Sequence, residues 1–138
     1  MKQRPVVVVL HGPSGVGKDA VVDRLSAEFG LHRPTSTTSR PPRVREVDGV
    51  HYHFISREEF ERKIRAGDFL EYAPVYDDWK GLEREEFTRA LAGAKDIVIR
   101  TDVQGARTWR RRRQAAVFVF LAAEDRDVLR ARLLARDT

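Results

Sequence analysis

Cysteine is absent from the 138 residues. That excludes a disulfide framework, a thiol nucleophile and a cysteine-based zinc site. Long hydrophobic runs are missing too. The longest, Val6 to Leu10, is far too short to cross a bilayer. Met1-Lys2-Gln3-Arg4 lacks the apolar stretch of a secretory leader. The expectation is a cytoplasmic protein without a membrane partner. No internal repeat or low-complexity segment is visible. Histidine is scarce: His51 and His53 flank Tyr52 with no third ligand apparent, so no metal site is expected there, and His11 reads as structural.

Hydrophobic residues make up 41% and charged residues 34%, the balance of a globular chain with a real core. The formal charge is +5, and its placement is informative. Residues 31–45 hold Arg33, Arg40, Arg43 and Arg45 and no acid. A basic balance can mean nucleic acid, anionic lipid or phosphorylated small molecules, and the bland reading of such a cluster is a solvated face. A second basic run, Arg110 to Arg113, reads as a solvated face.

Strand and helix signals alternate, so the expected fold is α/β with a largely parallel sheet. Val6 to Leu10 is a continuous β-branched run, as in a strand buried on both faces. Val21, Val22, Leu25 and Phe29 recur at helical spacing over residues 18–29, and Gly30 follows as a C-cap. Pro34, Pro41, Pro42 and Gly49 make 34–50 a loop or short extended pieces. Ser56 and Glu59 form a capping box for a helix that buries Phe60 and Ile64 and ends near Gly67. Residues 69–75 read as extended, 83–92 as a helix, 97–99 and 117–121 as strands. The stretch 124–136 places Val128, Leu129, Leu133 and Leu134 on one helical face.

The strongest motif is Gly12-Pro13-Ser14-Gly15-Val16-Gly17-Lys18, between an expected strand and an expected helix. Its glycines let successive backbone N–H groups turn inward, the helix N-terminus adds positive potential, and Lys18 supplies a full charge for the outer phosphates of a nucleotide. The residue after the lysine, ordinarily a serine or threonine that holds Mg²⁺, is Asp19. A carboxylate is also a hard-oxygen ligand for Mg²⁺, though it repels a triphosphate when no metal intervenes.

GPSGVGK is followed by TSTTSRPPR, EVDGVHYHFISREEF, GDFLEYAPV and TDVQGAR. In this order and at these spacings the chain resembles the guanylate kinase family over essentially its whole length. The resemblance implies a P-loop NTPase-type parallel sheet flanked by helices (1–33 and 82–138), a small inserted nucleoside-monophosphate-binding domain (34–81), and a lid that is largely absent. It implies transfer of the ATP γ-phosphate to GMP or dGMP with Mg²⁺, by a monomer or homodimer with no nucleic-acid partner. Residues Gly12 to Asp19 then bind ATP, with Asp19 toward Mg²⁺. Arg40 and Arg43 fall on the acceptor phosphate, with Tyr52 and Lys80. Ser36 and Glu71 fall on the guanine, and Asp102 near the acceptor nucleotide. Arg136 corresponds to an arginine at the start of the lid that faces the ATP phosphates, so the catalytic set is Lys18, Arg40, Arg43 and Arg136. A carboxylate such as Glu71 accepts from the N1–H and N2–H₂ donors that adenine lacks.

Three departures from the family pattern stand out. Its Asp-x-Asp has become Arg100-x-Asp102. Asp19 and Arg100 are therefore candidates for a compensating exchange, in which Asp19 takes the metal and Arg100 pairs with it or touches a phosphate; the alternative is a solvent-facing Arg100 and a helix-capping Asp19. Second, Lys80-Gly81-Leu82 replaces a tyrosine before the glycine and a hydroxyl residue after it, and Leu82 cannot hydrogen-bond a base; stacking by Tyr76 or Trp79 is the substitute on offer. Third, the chain stops where the lid would begin. Two other readings stay open: a kinase of another phosphorylated acceptor, since the Gly-Lys-Asp loop ending resembles ribose 1,5-bisphosphate phosphokinases, and a non-catalytic guanylate-kinase-like module that binds phosphorylated protein partners.

Overall fold

A computed structural model describes residues 5–13, 15–101, 103–112, 115–122 and 126–136. It divides into two compact units, residues 1–33 with 94–138, and residues 34–93.

The first unit is built on three parallel strands, β1 (Val7–His11), β6 (Ile97–Thr101) and β7 (Val117–Phe120), in the order β6-β1-β7. The β-branched run of β1 lies in the middle, with Val9 fully buried, as expected of a strand covered on both faces. Helix α1 (Lys18–Phe29) lays Val22 against Leu10 and Val98, and Val21, Leu25, Leu31 and Leu121 surround that cluster. Gly30 ends the helix by donating its N–H to the Ser26 carbonyl at 3.0 Å. Helix α4 (Val103–Arg112) brings Ala106 and Trp109 into the core. Arg110 is exposed, yet its guanidinium lies 4.6 Å from the Phe118 ring centroid, so one member of the basic run also covers an aromatic. Helix α5 (Arg126–Arg136) carries Val128 and Leu134 as exposed side chains; the apolar face expected there is not buried at these two positions.

The second unit has a four-stranded sheet in the order β3-β2-β5-β4, from β2 (Thr37–Thr38), β3 (His53–Phe54), β4 (Phe69–Val75) and β5 (Asp78–Glu83). β2 and β3 run parallel; β5 is antiparallel to both β2 and β4. The β4–β5 hairpin turns through Tyr76, whose φ of 56° is the left-handed value such tight turns need. Helix α2 (Arg57–Arg65) starts at Ser56, whose hydroxyl accepts from Glu59 N–H at 3.1 Å. It buries Phe60 against Phe69 and Trp79. Helix α3 (Arg84–Ala92) belongs to this unit rather than to the core domain expected from residue 82 onward. The reason is a long-range contact: Glu86 on α3 accepts from Thr35 N–H at 2.9 Å and lies 3.6 Å from His53 Nε2, which ties the helix to the strands of this unit.

Candidate phosphate and acceptor sites

The phosphate loop lies between β1 and α1. Gly12 approaches the chain after β7 so closely that a Cβ there would sit 2.5 Å from the Leu121 carbonyl oxygen. Gly17, at φ 99°, supplies the left-handed turn from which Val21 N–H makes the first helical bond back to the Gly17 carbonyl at 3.2 Å. Lys18 folds back over the loop, its Nζ donating to the Gly12 carbonyl at 2.7 Å and to the Thr101 carbonyl at 3.4 Å. Ser14 and Asp102 lie outside the described residues, as does the side chain of Arg136. His11 ends β1 with its Nδ1 buried and without a hydrogen-bond partner among the described residues. Burial, then the charges of Arg110 and Lys18, hold its pKa below the ordinary value and keep it neutral.

Asp19 occupies the first turn of α1. Its Oδ1 lies 2.7 Å from Arg100 Nη1 and 3.7 Å from Arg33 Nη1. The Arg100 side chain is 13% exposed, which removes the solvent-facing alternative. Arg100 thus engages one Asp19 carboxylate oxygen directly, with Arg33 farther off. Among the described residues no group of three or more His, Asp or Glu side chains is placed to hold a metal ion. Asp102, the acid that the family resemblance places beside this pair, lies outside the described residues.

In the second unit a cationic cluster forms around Tyr52. Arg40 lies with its Cζ 5.3 Å from the Tyr52 ring centroid and 5.8 Å from that of Phe54, and Lys80 Nζ lies 5.1 Å from the Tyr52 centroid. Strand pairing explains the convergence. Thr38 sits opposite both Phe54 and Lys80, and Lys80 opposite Ala73, so these side chains share one face of the sheet. Glu71, two residues before Ala73, shares that face. Ser36 stands just before β2, its carbonyl accepting from His53 N–H at 2.8 Å. Arg43 presents an exposed side chain.

A residue the sequence reading did not single out organises this cluster. Glu46 accepts from Arg40 through both carboxylate oxygens, at 2.6 and 2.7 Å, and from Arg43 N–H at 2.8 Å. Hydrogen bonds from Arg40 hold the Glu46 carboxyl at a pKa of about 2, against the opposing effect of burial. The signal was present in EVDGVHYHF as the first acid after an acid-free arginine stretch.

The base-stacking substitutes fail on geometry. Trp79 lies on the opposite sheet face, stacked 5.9 Å from Phe60, with its Nε1 donating to Glu61 at 3.4 Å. Tyr76 projects from the hairpin tip, 94% exposed. Leu82 is a core residue, 2% exposed. His51 and His53 serve different partners: His51 Nδ1 accepts from Val47 N–H at 2.9 Å, and His53 faces Glu86. Beside His53, burial pushes the Glu83 carboxyl up, but hydrogen bonds from Lys63 and Thr37 outweigh it and leave its pKa lowered, the signature of a structural ion pair.

The guanylate kinase family model matches residues 2–138. The chain belongs to the guanylate kinase family. It is 44% identical over 137 residues to the chloroplastic/mitochondrial guanylate kinase 2 of Oryza sativa subsp. japonica, covering 98% of this chain and 48% of that protein. It is 43% identical to a guanylate kinase of Symbiobacterium thermophilum, covering 99% of this chain and 65% of that protein. The chain thus spans between about half and two thirds of these relatives' length. Among solved structures, a guanylate kinase from Anaplasma phagocytophilum superposes with a TM-score of 0.79 at 27% identity, covering 96% of this chain and 68% of that one. No helix among the described residues is long and apolar enough to cross a membrane.

Proposed function

We propose that this guanylate kinase family member is a cytoplasmic enzyme of purine nucleotide metabolism that transfers the γ-phosphoryl group of ATP to GMP or dGMP. The observation that carries the reading is the loop of residues 12–18, with Lys18 folded onto the Gly12 carbonyl. On this reading a polyphosphate draws Lys18 Nζ off Gly12 O, while loop N–H groups and the N-terminus of α1 take the phosphate oxygens. Arg40, set in place by Glu46, binds the acceptor phosphate together with Arg43, Tyr52 and Lys80. Glu71 and Ser36 read the guanine, and Asp102 lies near the acceptor nucleotide. An acceptor phosphate oxygen attacks the γ-phosphorus in line as the bond to the β-phosphate oxygen breaks. Lys18 and Arg136 stabilise the charge that moves onto the leaving ADP. Mg²⁺ belongs to the donor as the Mg·ATP complex. No side-chain nucleophile takes part.

The test is an acceptor panel of GMP, dGMP, AMP and ribose 1,5-bisphosphate with Mg·ATP. Turnover with GMP or dGMP at least tenfold above the others is the expected result. Preference for ribose 1,5-bisphosphate would replace the acceptor assignment, and ATP binding without turnover on any acceptor would make the protein a binding module.

A further inference from the structure

Helix α4 carries its charges differently from the three helices before it. In α1 Arg24 pairs with Glu28, in α2 Arg57 with Glu61 and Arg62 with Glu59, and in α3 Arg89 with Glu85, each partner one turn away. Such pairs neutralise a solvated helix face from within. No acid is available to α4 for this purpose. Residues 103–123 hold Arg107 and Arg110 to Arg113 and neither aspartate nor glutamate. Arg107, Arg110 and Arg111 are exposed, and among the described residues no carboxylate pairs with any of them.

Arg107 stands three residues before Arg110 and four before Arg111, the spacings at which helical side chains are neighbours. Like charges at these spacings repel and cost the helix stability. The helix is held in place from its other side, where Ala106 and Trp109 are buried in the core. The repulsion therefore stays built into a fixed scaffold, and a polyanion laid along the face would relieve it. Arg110 is further steadied by Phe118 of β7, whose ring centroid lies 4.6 Å from its guanidinium. Strand alternation puts Phe120 on the same sheet face as Phe118, and Phe120 is 56% exposed. Guanidinium forks match phosphate oxygens, and an open aromatic ring can take a stacked base. An acidic peptide would use the charges and leave the ring idle. A bilayer would need apolar side chains along the helix, whereas the outward stripe of α4 is Gln104, Arg107, Thr108 and Arg111.

We propose that the arginine face of α4, together with Phe120 of β7, is a binding surface for single-stranded nucleic acid, separate from the phosphate loop.

The experiment is a fluorescence-anisotropy titration of the chain with labelled oligouridylate and oligothymidylate of about 12 nucleotides each. The logarithm of the association constant should fall against the logarithm of salt concentration with a slope of about −2, from three phosphate contacts at about 0.7 each. The double variant Arg107→Gln with Arg111→Gln should weaken binding by about tenfold or more and make the slope shallower by about 1.4. Its melting temperature should be no lower than that of the wild type, because a repulsion has been removed. Phe120→Ala should weaken binding by about fivefold or more at an unchanged slope, the loss of one stacked base. Lys18→Ala and Arg43→Ala should bind as the wild type does. Tighter binding of the ribo probe than of the deoxy probe would uphold the proposal and name RNA as the partner. Unchanged affinity in the folded double variant overturns it, and so does a lowered melting temperature, which would make the arginines part of the fold's own stability. Equal affinity for polyglutamate would assign the face to an acidic protein, and tighter binding to vesicles of phosphatidylserine and phosphatidylcholine would assign it to a membrane. Loss of oligomer binding in Lys18→Ala or Arg43→Ala would place the oligomer on the phosphate sites, and each of these three results overturns the proposal.

Discussion

On the proposed reading, the two units hold anion-binding groups of opposite construction. In the first, the cradle is backbone: a glycine loop and a helix end, with Lys18 resting on carbonyl oxygens. In the second it is side chain: Arg40, Tyr52 and Lys80 are gathered on a small sheet, and the Arg40 fork is filled by Glu46. A backbone cradle is rigid because the fold that makes it cannot easily deform. Side chains lose rotamer freedom when ordered, so a side-chain site needs partners that hold it before substrate arrives. Glu46 is that partner for Arg40. The first site should therefore fail by loss of charge, and the second by loss of its internal support.

The largest expected effect tests the first half of the contrast. Lys18→Ala should lower turnover by about 10²- to 10³-fold. It should leave the melting temperature within a few degrees of wild type, because only two carbonyl contacts are lost. Steady-state kinetics and a thermal melt check both. A collapse in stability would mean that the lysine, rather than the backbone, holds the loop together.

The next effect separates the two arginines of the second unit. Arg40→Ala strands a largely buried carboxylate and should cost about 1–3 kcal/mol of stability together with acceptor affinity. Arg43→Ala should raise the KM for GMP by about tenfold with no change in melting temperature, since its side chain is exposed. Equal melting temperatures for the two variants would erase the distinction between a supported and an unsupported arginine.

The smallest effect is a pH dependence. Glu46 has a folded-state pKa of about 2, below its ordinary value of 4.5. A depressed carboxyl pKa stabilises the fold at pH values above the unfolded-state pKa. That contribution, about 1–2 kcal/mol after allowance for solvent screening, is lost as pH falls from about 4.5 toward 2. Glu46→Gln should be less stable at neutral pH and show a flatter acid limb in chemical denaturation. An unchanged acid limb would show that the ion pair contributes nothing to stability.

Much of this molecule was legible in one dimension, for reasons that are local. β1, α1, β6 and β7 declared themselves through apolar runs and helical spacing, because a strand buried on both faces and a helix on a sheet each impose a period. Ser56 with Glu59 marked the start of α2 because a cap is a contact between near neighbours. β5 was not legible: Asp78, Lys80 and Gly81 break its pattern, and its identity rests on pairing with β2 and β4. Helix α3 was visible as a helix, but its membership of the second unit depends on Glu86 reaching Thr35, a contact spanning much of that unit.

Residue types and their order determined the phosphate loop, the charge of Lys18 and the arginine-rich stretch, since these follow from backbone freedom and ionisation carried by each residue alone. Only the tertiary structure decided which charges meet. It brought Arg100 of β6 onto Asp19 of α1, closed Glu46 on the Arg40 fork, and sent Trp79 to the sheet face opposite Lys80. Electrostatic partnership acts through distances of a few ångströms, and distances between residues far apart in the chain exist only once strand register and helix packing are set.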